Sequence, residues 1–350
     1  MPLSGPTWLA LTEYAEFVSA FLSLPINLFL QYCIYKKSPK EFENYMYLLS
    51  WFSFQSMFFS LVSLCTQMSF HTYKGCFMMF TVKNRFNMPD YIIWALLGLC
   101  CVSVGYTLFI LAVSFLHRYL AIQKSKYLDY YKGWKRLYFV LVMIIVALVY
   151  GGCGFVGINL TEEKDRSIRN DLAKQYNVSS DDFHYIAVEY FEHLDNDTYI
   201  INKLSIATAA TLNILFGIMT IIILYCGVKT YLKMKQDTEM LDQHLWIHRQ
   251  LFTALLVQTL TPTLLIFIPC IIFYIFPIFE YPLGANSNIL SISLVIYPVI
   301  DPLTVLYIIK RYRDFVKESF CKRIIEERPS VTCIKLSDES SIQMDHIHSV

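Results

Sequence analysis

Long apolar runs separated by short charged segments dominate the chain. Seven runs contain no Lys, Arg, Glu or His, and they cover residues 17–35, 45–70, 91–116, 137–158, 204–228, 251–279 and 281–309. Each has the length, about 20 residues, at which an α-helix crosses a bilayer. The strands of a membrane barrel would be shorter and would alternate in polarity. The pattern predicts an all-α membrane protein, with a bundle of seven transmembrane helices over residues 1–310.

The composition supports a membrane protein. Hydrophobic residues make up 55% of the 350 residues and charged residues only 16%, whereas ordinary globular proteins carry about 25% charged residues. This balance excludes a disordered chain, a nucleic-acid-binding domain and a typical cytosolic enzyme. The lipid bilayer is therefore an expected partner, and nucleic acid is not.

The positive charges predict an orientation. Of the 29 Lys and Arg residues, 21 fall in segments 36–44, 117–136 and 229–250 and in the tail from Lys310. The other eight lie in the alternate segments, and five of those belong to one long loop. Basic residues are enriched in cytoplasmic loops. The N-terminus is therefore expected outside the cell and the protein in the plasma membrane.

The flanks of the first run agree with this orientation. Glu13 and Glu16 lie before it, and Lys36 and Lys37 follow it. No basic segment precedes the run, so a cleaved signal peptide is not expected.

Three glycosylation sequons fall in one predicted outer loop, residues 159–203. They begin at Asn159, Asn177 and Asn196. Glycosylation acceptors belong on the lumenal side, which the charge pattern independently makes the outer side. The loop is the largest segment expected to lack helix, and it is interpreted either as a lid over the bundle or as a glycosylated solubilising flap.

The chain after the seventh run divides into two parts. Residues 311–328 mix basic and apolar side chains in the pattern of an amphipathic helix on the inner membrane surface. Cys321 in this helix is a candidate palmitoylation site. Residues 329–350 are polar and are expected to form a disordered cytoplasmic tail.

Four polar residues are expected at one level in the inner half of the bundle. Asp301 is the only acidic or basic residue inside the seven runs, and it lies about 13 Å above the inner boundary at 1.5 Å per residue. Asn27, Gln55 and Ser56 fall at similar heights. A charge at this depth marks function by default, so the alternatives are a satisfied structural network and a protonatable or ion-linked switch.

Prolines predict a hinge in the sixth helix. Pro262 and Pro269 each remove a backbone donor and kink the helix. Gln258, one turn earlier, either bonds a neighbouring helix or meets a ligand. A bent sixth helix could pivot and move its inner end.

Most of the ten cysteines lie in the apolar runs, where Cys behaves as a small apolar residue. Cys76 is the one outer cysteine well clear of the membrane, and Cys153 is its only plausible disulfide partner.

The chemistry left inside the bundle favours binding over catalysis. No phosphate-binding or catalytic-triad pattern is present, and none of the eight His residues is at mid-membrane depth. No enzyme, cofactor or metal site is therefore predicted. Depth alone suggests that a small neutral or weakly polar ligand meets Trp94, Leu97, Cys101, Tyr106 and Gln258.

Three motifs indicate a family. Leu-His-Arg-Tyr-Leu-Ala spans 116–121, His-Arg-Gln-Leu-Phe-Thr-Ala-Leu-Leu-Val-Gln-Thr-Leu-Thr-Pro spans 248–262, and Tyr-Pro-Val-Ile-Asp-Pro-Leu-Thr-Val-Leu-Tyr-Ile-Ile-Lys-Arg-Tyr-Arg spans 297–313. Together they resemble the nematode serpentine chemoreceptors of the Str class, the group that includes the diacetyl odorant receptor. The resemblance extends from the first helix to Arg313.

The resemblance implies a G-protein-coupled olfactory receptor in sensory cilia that binds an odorant or a pheromone. It implies that His117, Arg118 and Tyr119 form the part that contacts a heterotrimeric G protein, with Arg118 central. His117 stands where rhodopsin-like receptors carry an acid, and Asp301-Pro302 replaces their Asn-Pro.

The alternative reading is an odour-gated ion channel or a small-molecule transporter. Odour-gated channels of the insect type also have seven helices, but their N-terminus lies inside the cell. The distribution of basic residues and the position of the sequons argue against that orientation for this chain. A transporter is expected to show internal repeats, and the chain shows none.

Overall fold

The computed structural model describes residues 3–38, 45–82, 88–131, 133–156, 162–193, 199–236, 242–281 and 283–326. In chain order its helices and strands are α1 (Gly5–Lys37), α2 (Tyr45–Thr66), β1 (Ser69–Tyr73), β2 (Cys76–Val82), α3 (Asp90–Ile122), α4 (Lys135–Val156), α5 (Glu162–Tyr176), β3 (Phe183–Glu189), β4 (Phe191–His193), β5 (Tyr199–Ile201), α6 (Lys203–Gln236), α7 (Asp242–Pro262), α8 (Ile268–Ile275), α9 (Ile289–Ile308) and α10 (Lys310–Glu326).

The apolar runs form a bundle. In the described part of the chain, six helical segments are long and apolar enough to cross a membrane, and Leu137–Cys153 within α4 is a shorter apolar helix. Helix α3 occupies the centre and packs against α2, α4, α6 and α7, while α1 packs against α2 and α9. These seven spans confirm the predicted seven-transmembrane architecture.

The first helix begins much earlier than its apolar run. The Ser4 hydroxyl caps it by accepting a hydrogen bond from the Thr7 amide, and Pro6 occupies the first turn, where a missing N–H costs nothing. Glu13 and Glu16 therefore lie inside α1 and not before it, so the expectation for the flank of this helix was wrong.

The long segment 159–203 is not irregular. It contains α5 and β3, and β3 pairs antiparallel with β2, which pairs with β1. Part of the second apolar run is also strand, because α2 ends at Thr66 and the hairpin of β1 and β2 follows. A three-stranded sheet thus covers one end of the bundle.

The sheet is buried on both faces. One face joins the bundle core and the other packs on α5, since β-strand side chains alternate between the two faces. The bundle face carries Phe70, Phe77, Met79 and Ile186. The α5 face carries Cys76, Met78, Phe80, Phe183, Tyr185 and Ala187, which pack on Ile168, Leu172 and Tyr176. We call the sheet together with α5 the lid.

Hydrogen bonds tie the lid to the segment before α9. The Asn288 side chain donates to the Tyr176 hydroxyl at 2.8 Å and accepts from the Phe70 amide at 3.1 Å. His71 is fully buried, and its Nε2 lies 2.9 Å from the Asp171 carboxylate. Thr72 Oγ1 accepts from the amides of residues 283 and 284 at 3.0 and 3.1 Å. The lid is therefore fixed to the bundle by polar as well as apolar contacts.

A second polar cluster holds α5 on β3. Arg169 donates to Asp165 at 2.9 Å and to the carbonyl oxygens of Ser180 and Phe183 at 3.1 and 3.0 Å. The Tyr185 hydroxyl donates to Asp165. Burial first, and then this hydrogen bond, raise the pKa of Tyr185, so the phenol stays protonated and remains a donor.

The helix that follows α6 is broken at its predicted hinge. Helix α7 ends at Pro262, Thr263–Phe267 forms a π-helical turn, and α8 begins at Ile268 with Pro269 in its first turn. A proline lacks the N–H that a regular α-helical bond would need, and π-turns are frequent at functional sites. The break is a feature of the structure, while motion about it remains a prediction.

Candidate functional site

Below the lid lies an apolar cavity with an outer and an inner chamber. The outer chamber has a volume of about 310 Å³ and lies between α6, α8 and the chain around Tyr190. The inner chamber, about 90 Å³, lies deeper, against α3 and the sheet. The outer volume alone falls at the low end of the range, roughly 300–1,000 Å³, found for small-molecule sites.

Five residues line both chambers and form their junction. They are Val104, Tyr150, Leu212, Cys270 and Tyr274. The phenols of Tyr150 and Tyr274 and the thiol of Cys270 are the polar groups of this junction. Among the described residues, no acidic or basic side chain lines either chamber, so the cavity suits a small neutral molecule that can hydrogen-bond.

The lid and the break both contribute walls. Ile186 and Val188 of β3 line the inner chamber, and Tyr190 and Phe191 line the outer one. Phe267, the last residue of the π-turn, lines the outer chamber and packs edge-on against Phe216 of α6 at 5.4 Å between ring centroids. A ligand in the cavity would therefore touch both the lid and the break.

Most of the residues that depth predicted to meet a ligand lie away from the two chambers. Of the five proposed residues only Cys101 lines a chamber, the inner one. Trp94 packs edge-on against His184 of β3 at 5.9 Å, because the sheet fills the bundle end where Trp94 was expected to meet ligand. Leu97, Tyr106 and Gln258 are buried in the helix core and do not line the two chambers.

The predicted disulfide is not formed. Cys153 carries a free thiol near the end of α4, whereas Cys76 is fully buried between the sheet and α5. The prediction was wrong because it placed Cys76 in an open loop, while the cysteine occupies a core position on β2.

The four polar residues predicted at one level are all buried but belong to three groups of contacts. Asn27 donates to the carbonyl oxygen of Pro298 at 3.0 Å and accepts from Ser53 at 3.0 Å, which joins α1, α2 and α9. Gln55 instead donates to the Ser103 carbonyl oxygen of α3 at 3.1 Å. Asn27 and Gln55 therefore have different hydrogen-bond partners.

Asp301 and Ser56 belong to a third group, which includes Gln258 and Tyr297. Gln258 lies beside the Asp301 carboxyl, and Tyr297 lies beside Ser56. Among the described residues, neither oxygen of the Asp301 carboxyl has a hydrogen-bond partner of normal geometry. Gln258 therefore faces the polar group of α9, and its position favours the helix-contact alternative over the ligand-contact one.

Glu16 is a second acid at membrane depth that sequence reasoning missed. Its side chain is 2% exposed. One carboxyl oxygen accepts from Ser63 of α2 at 3.3 Å, and the other has no hydrogen-bond partner of normal geometry among the described residues, although the Met68 backbone lies beside the carboxyl. The sequence pattern that could have revealed Glu16 is the spacing of Thr12, Glu16 and Ser19. These residues recur every three or four positions, and they lie on one buried face because α1 begins at Gly5.

At the opposite end of α3, Arg118 does not face solvent. Its side chain is buried, and its guanidinium carbon stands 4.1 Å from the ring centroid of Tyr45 on α2. His117 packs edge-on against Tyr131 at 4.7 Å and stacks on Tyr45 at 6.1 Å. Tyr119 lies edge-on against Tyr225 of α6 at 6.0 Å. The Tyr45 ring thus contacts both His117 and Arg118.

The modification sites are only partly described. Asn177 follows α5 with φ of 55° and is exposed, as expected for a residue that ends a helix in the left-handed conformation. Asn159, Asn196 and the tail 329–350 lie outside the described residues. Cys321 lies on α10, in a part of the helix whose side chains are not described.

Comparison with known proteins identifies the family. The model of the serpentine seven-transmembrane chemoreceptors of the Str type matches residues 12–317. Serpentine receptor class r-10 of Caenorhabditis elegans is 25% identical over 338 residues, covering 96% of this chain and 99% of that protein. Its Caenorhabditis briggsae counterpart of the same name is 24% identical, covering 96% and 98%. The G-protein coupled receptor str-33 of C. elegans is 25% identical, covering 87% and 89%.

The family match covers the seven spans and both ends of the bundle. The protein is therefore a multi-pass membrane protein and not an enzyme. The chain belongs to the Str family of serpentine seven-transmembrane chemoreceptors, and it is a chemosensory receptor.

Proposed function

We propose that the protein is an olfactory receptor that binds a small neutral odorant or pheromone in the two-chamber cavity and activates a heterotrimeric G protein. The observation that carries the proposal is the junction of the chambers, where the Tyr150 and Tyr274 phenols and the Cys270 thiol interrupt an apolar wall. Such a wall supplies apolar burial, and the few polar groups orient the ligand.

The broken helix supports a route from the cavity to the other end of the bundle. Phe267 and Cys270, on either side of Pro269, line the cavity, and α7 begins at the opposite end with Asp242. A ligand that binds one bend of α7 and α8 more tightly than another shifts the population toward that bend. We propose Pro262 and Pro269 as the hinge and an outward displacement of the first turns of α7 as its result.

The segment that contacts the G protein is proposed to be His117, Arg118 and Tyr119 with loops 120–136 and 233–248. Arg118 is held under Tyr45, so exposure of its guanidinium requires the Tyr45 ring of α2 to move away from α3. The proposed N-terminus is extracellular, in the plasma membrane of a sensory cilium. Cys321 is the proposed palmitoylation site, on a helix whose Phe315 stacks on Phe29 of α1 at 6.2 Å.

Filling the cavity is expected to weaken the response to odorants. Cys270→Phe adds a ring at the junction, whereas Ile272→Phe enlarges a side chain that is 41% exposed on the same helix. Cells that express each variant with a promiscuous Gα would be screened against an odorant panel by calcium imaging. An agonist of the wild type should activate Ile272→Phe normally and require at least about tenfold more ligand for Cys270→Phe, the effect of about 1.4 kcal/mol. Equal responses of the two variants would contradict the assigned site.

A glycan on Asn177 is expected if the lid faces the lumen. The exposed Asn177 begins the sequon that ends at Ser179, also exposed. Peptide:N-glycosidase F should increase the gel mobility of the wild type, and Asn177→Gln should remove one step of that shift. If Asn177→Gln shows the same gel bands as the wild type, Asn177 carries no glycan. This sequon would then no longer support an extracellular lid.

A further inference from the structure

The outer chamber opens sideways, toward the surface that faces lipid. Its rim includes Ile206 and Asn213 of α6, Ile271 of α8 and Ile278 beyond α8. Ile206, Ile271 and Ile278 are 39%, 40% and 44% exposed. Ala210 and Asn213 are also exposed. All these residues belong to the two spans that cover 203–236 and 249–279.

The lid closes the end of the bundle over the same cavity. All seven residues of β3 are buried, and the strand lies between α5 and the bundle. Tyr190, which continues β3, is 5% exposed and forms part of the chamber wall. Among the described residues, the sheet and the segment before α9 are joined by hydrogen bonds across the lid side of the cavity.

The packing of α6 explains the lateral opening. Helix α6 packs chiefly on α3 and α4, which leaves its other side facing α8 across the chamber. The two spans meet again at Phe216 and Phe267, whose rings are 5.4 Å apart. These rings form the floor of the opening, and Ile206 and Ile278 stand at its upper margin.

We infer that the ligand reaches the cavity from the bilayer, between α6 and α8, and is a neutral, lipid-soluble molecule. The inference rests on the proposed function. A charged or strongly hydrated molecule would lose its hydration at an apolar rim that offers one amide, Asn213, and its Nδ2 already donates to the Ala209 carbonyl oxygen at 2.8 Å. A lipid-soluble molecule concentrates in the bilayer and meets the opening directly.

Thiol labelling tests this route without a known ligand. Cys270 lines both chambers. Membranes that contain the full-length protein would be treated with N-phenylmaleimide, which is neutral and enters lipid, or with a sulfonate-bearing methanethiosulfonate, which does not. Peptide mass spectrometry would measure the modification of Cys270, and the exposed Cys65 on α2 would report the reagent present in the bilayer.

The inference predicts modification of Cys270 by the neutral reagent and little by the charged one. Ala210→Trp places an indole at the rim and should slow the neutral reagent by about tenfold or more, within the range over which association rates vary among mutants of one site. Ala207→Trp is the matched control, because Ala207 is exposed on the same helix but does not line the chamber. Ile278→Trp narrows the opening from the α8 side. It is the alternative variant for the same measurement if Ala210→Trp does not reach the membrane.

Three results would overturn the lateral route. They are equal modification of Cys270 by both reagents, equal rates in the Ala210→Trp and Ala207→Trp variants, and an unmodified Cys270 beside a modified Cys65. Labelling rates do not depend on signalling. A receptor that labels as expected but activates no G protein would therefore refute the proposed function and leave the route intact.

Discussion

Replacement of Arg118 with alanine is expected to reduce agonist-stimulated nucleotide exchange on the G protein to its basal level. Truncation of one partner of a buried charged contact between proteins typically costs about 2–5 kcal/mol, which corresponds to a roughly 30-fold to several-thousandfold loss of affinity. Exchange of labelled GTP analogue would be measured in membranes with equal amounts of receptor. If the Arg118→Ala variant stimulates nucleotide exchange as strongly as the wild type does, Arg118 does not contact the G protein as proposed.

Tyr45→Leu is the companion variant and should act in the opposite direction. It removes the ring that stands 4.1 Å from the Arg118 guanidinium, a contact worth about 0.5–2 kcal/mol. Basal exchange should therefore rise, by up to about 30-fold if the contact exists only in the resting state. Tyr47→Leu, at a 44% exposed position two residues along α2, should leave basal exchange unchanged.

Leu172→Ala is expected to open the lid. Leu172 is fully buried between α5 and the sheet, and a buried Leu-to-Ala change costs about 2–5 kcal/mol. The free-energy difference that favours the closed lid should fall by a similar amount. The population of the open lid should therefore rise roughly 30-fold or more. Cys76, fully buried beneath α5, is a native reporter, because a charged thiol reagent can reach it only when the lid opens.

Asn170→Ala controls for any change in α5, since Asn170 is exposed on the same helix. The reagent should modify Cys76 much faster in Leu172→Ala than in the wild type or Asn170→Ala. If all three proteins react at the same rate, the packing of α5 on the sheet does not hold the lid closed.

The number of spans was predictable, because hydrocarbon sets a length that each helix must meet. The positions of the helix breaks were also predictable, since Pro262 and Pro269 lack backbone donors whatever surrounds them. The structure confirms the seven spans and shows the helix interrupted between those two prolines.

The lid could have been found only in part. In α5, Ile168, Leu172 and Tyr176 recur every four residues within a highly charged segment, which is the amphipathic pattern of a helix with one buried face. The hairpin of β1 and β2 gave no comparable signal. Its strands are buried on both faces, so polar and apolar residues do not alternate along them. The first strand also begins within the apolar run 45–70, whose pattern predicts a helix.

The pocket shows what depth along a helix can and cannot predict. Residue number predicts height at 1.5 Å per residue, but each residue also turns the side chain by 100°. Leu97 and Cys101 lie one turn apart on α3, yet of these two residues only Cys101 lines a chamber. The direction of each side chain depends on how α3 packs against α4 and the sheet, which a single sequence does not record.

The most direct test of the account uses purified receptor in lipid nanodiscs with a heterotrimeric G protein, and a planar bilayer that contains receptor alone. An agonist from the odorant panel would be added to both. A receptor that signals through the G protein should give ligand-dependent nucleotide exchange in the nanodiscs and no current across the bilayer. Ligand-evoked current in the bilayer, with no exchange in the nanodiscs, would contradict the signalling role and favour an odour-gated channel.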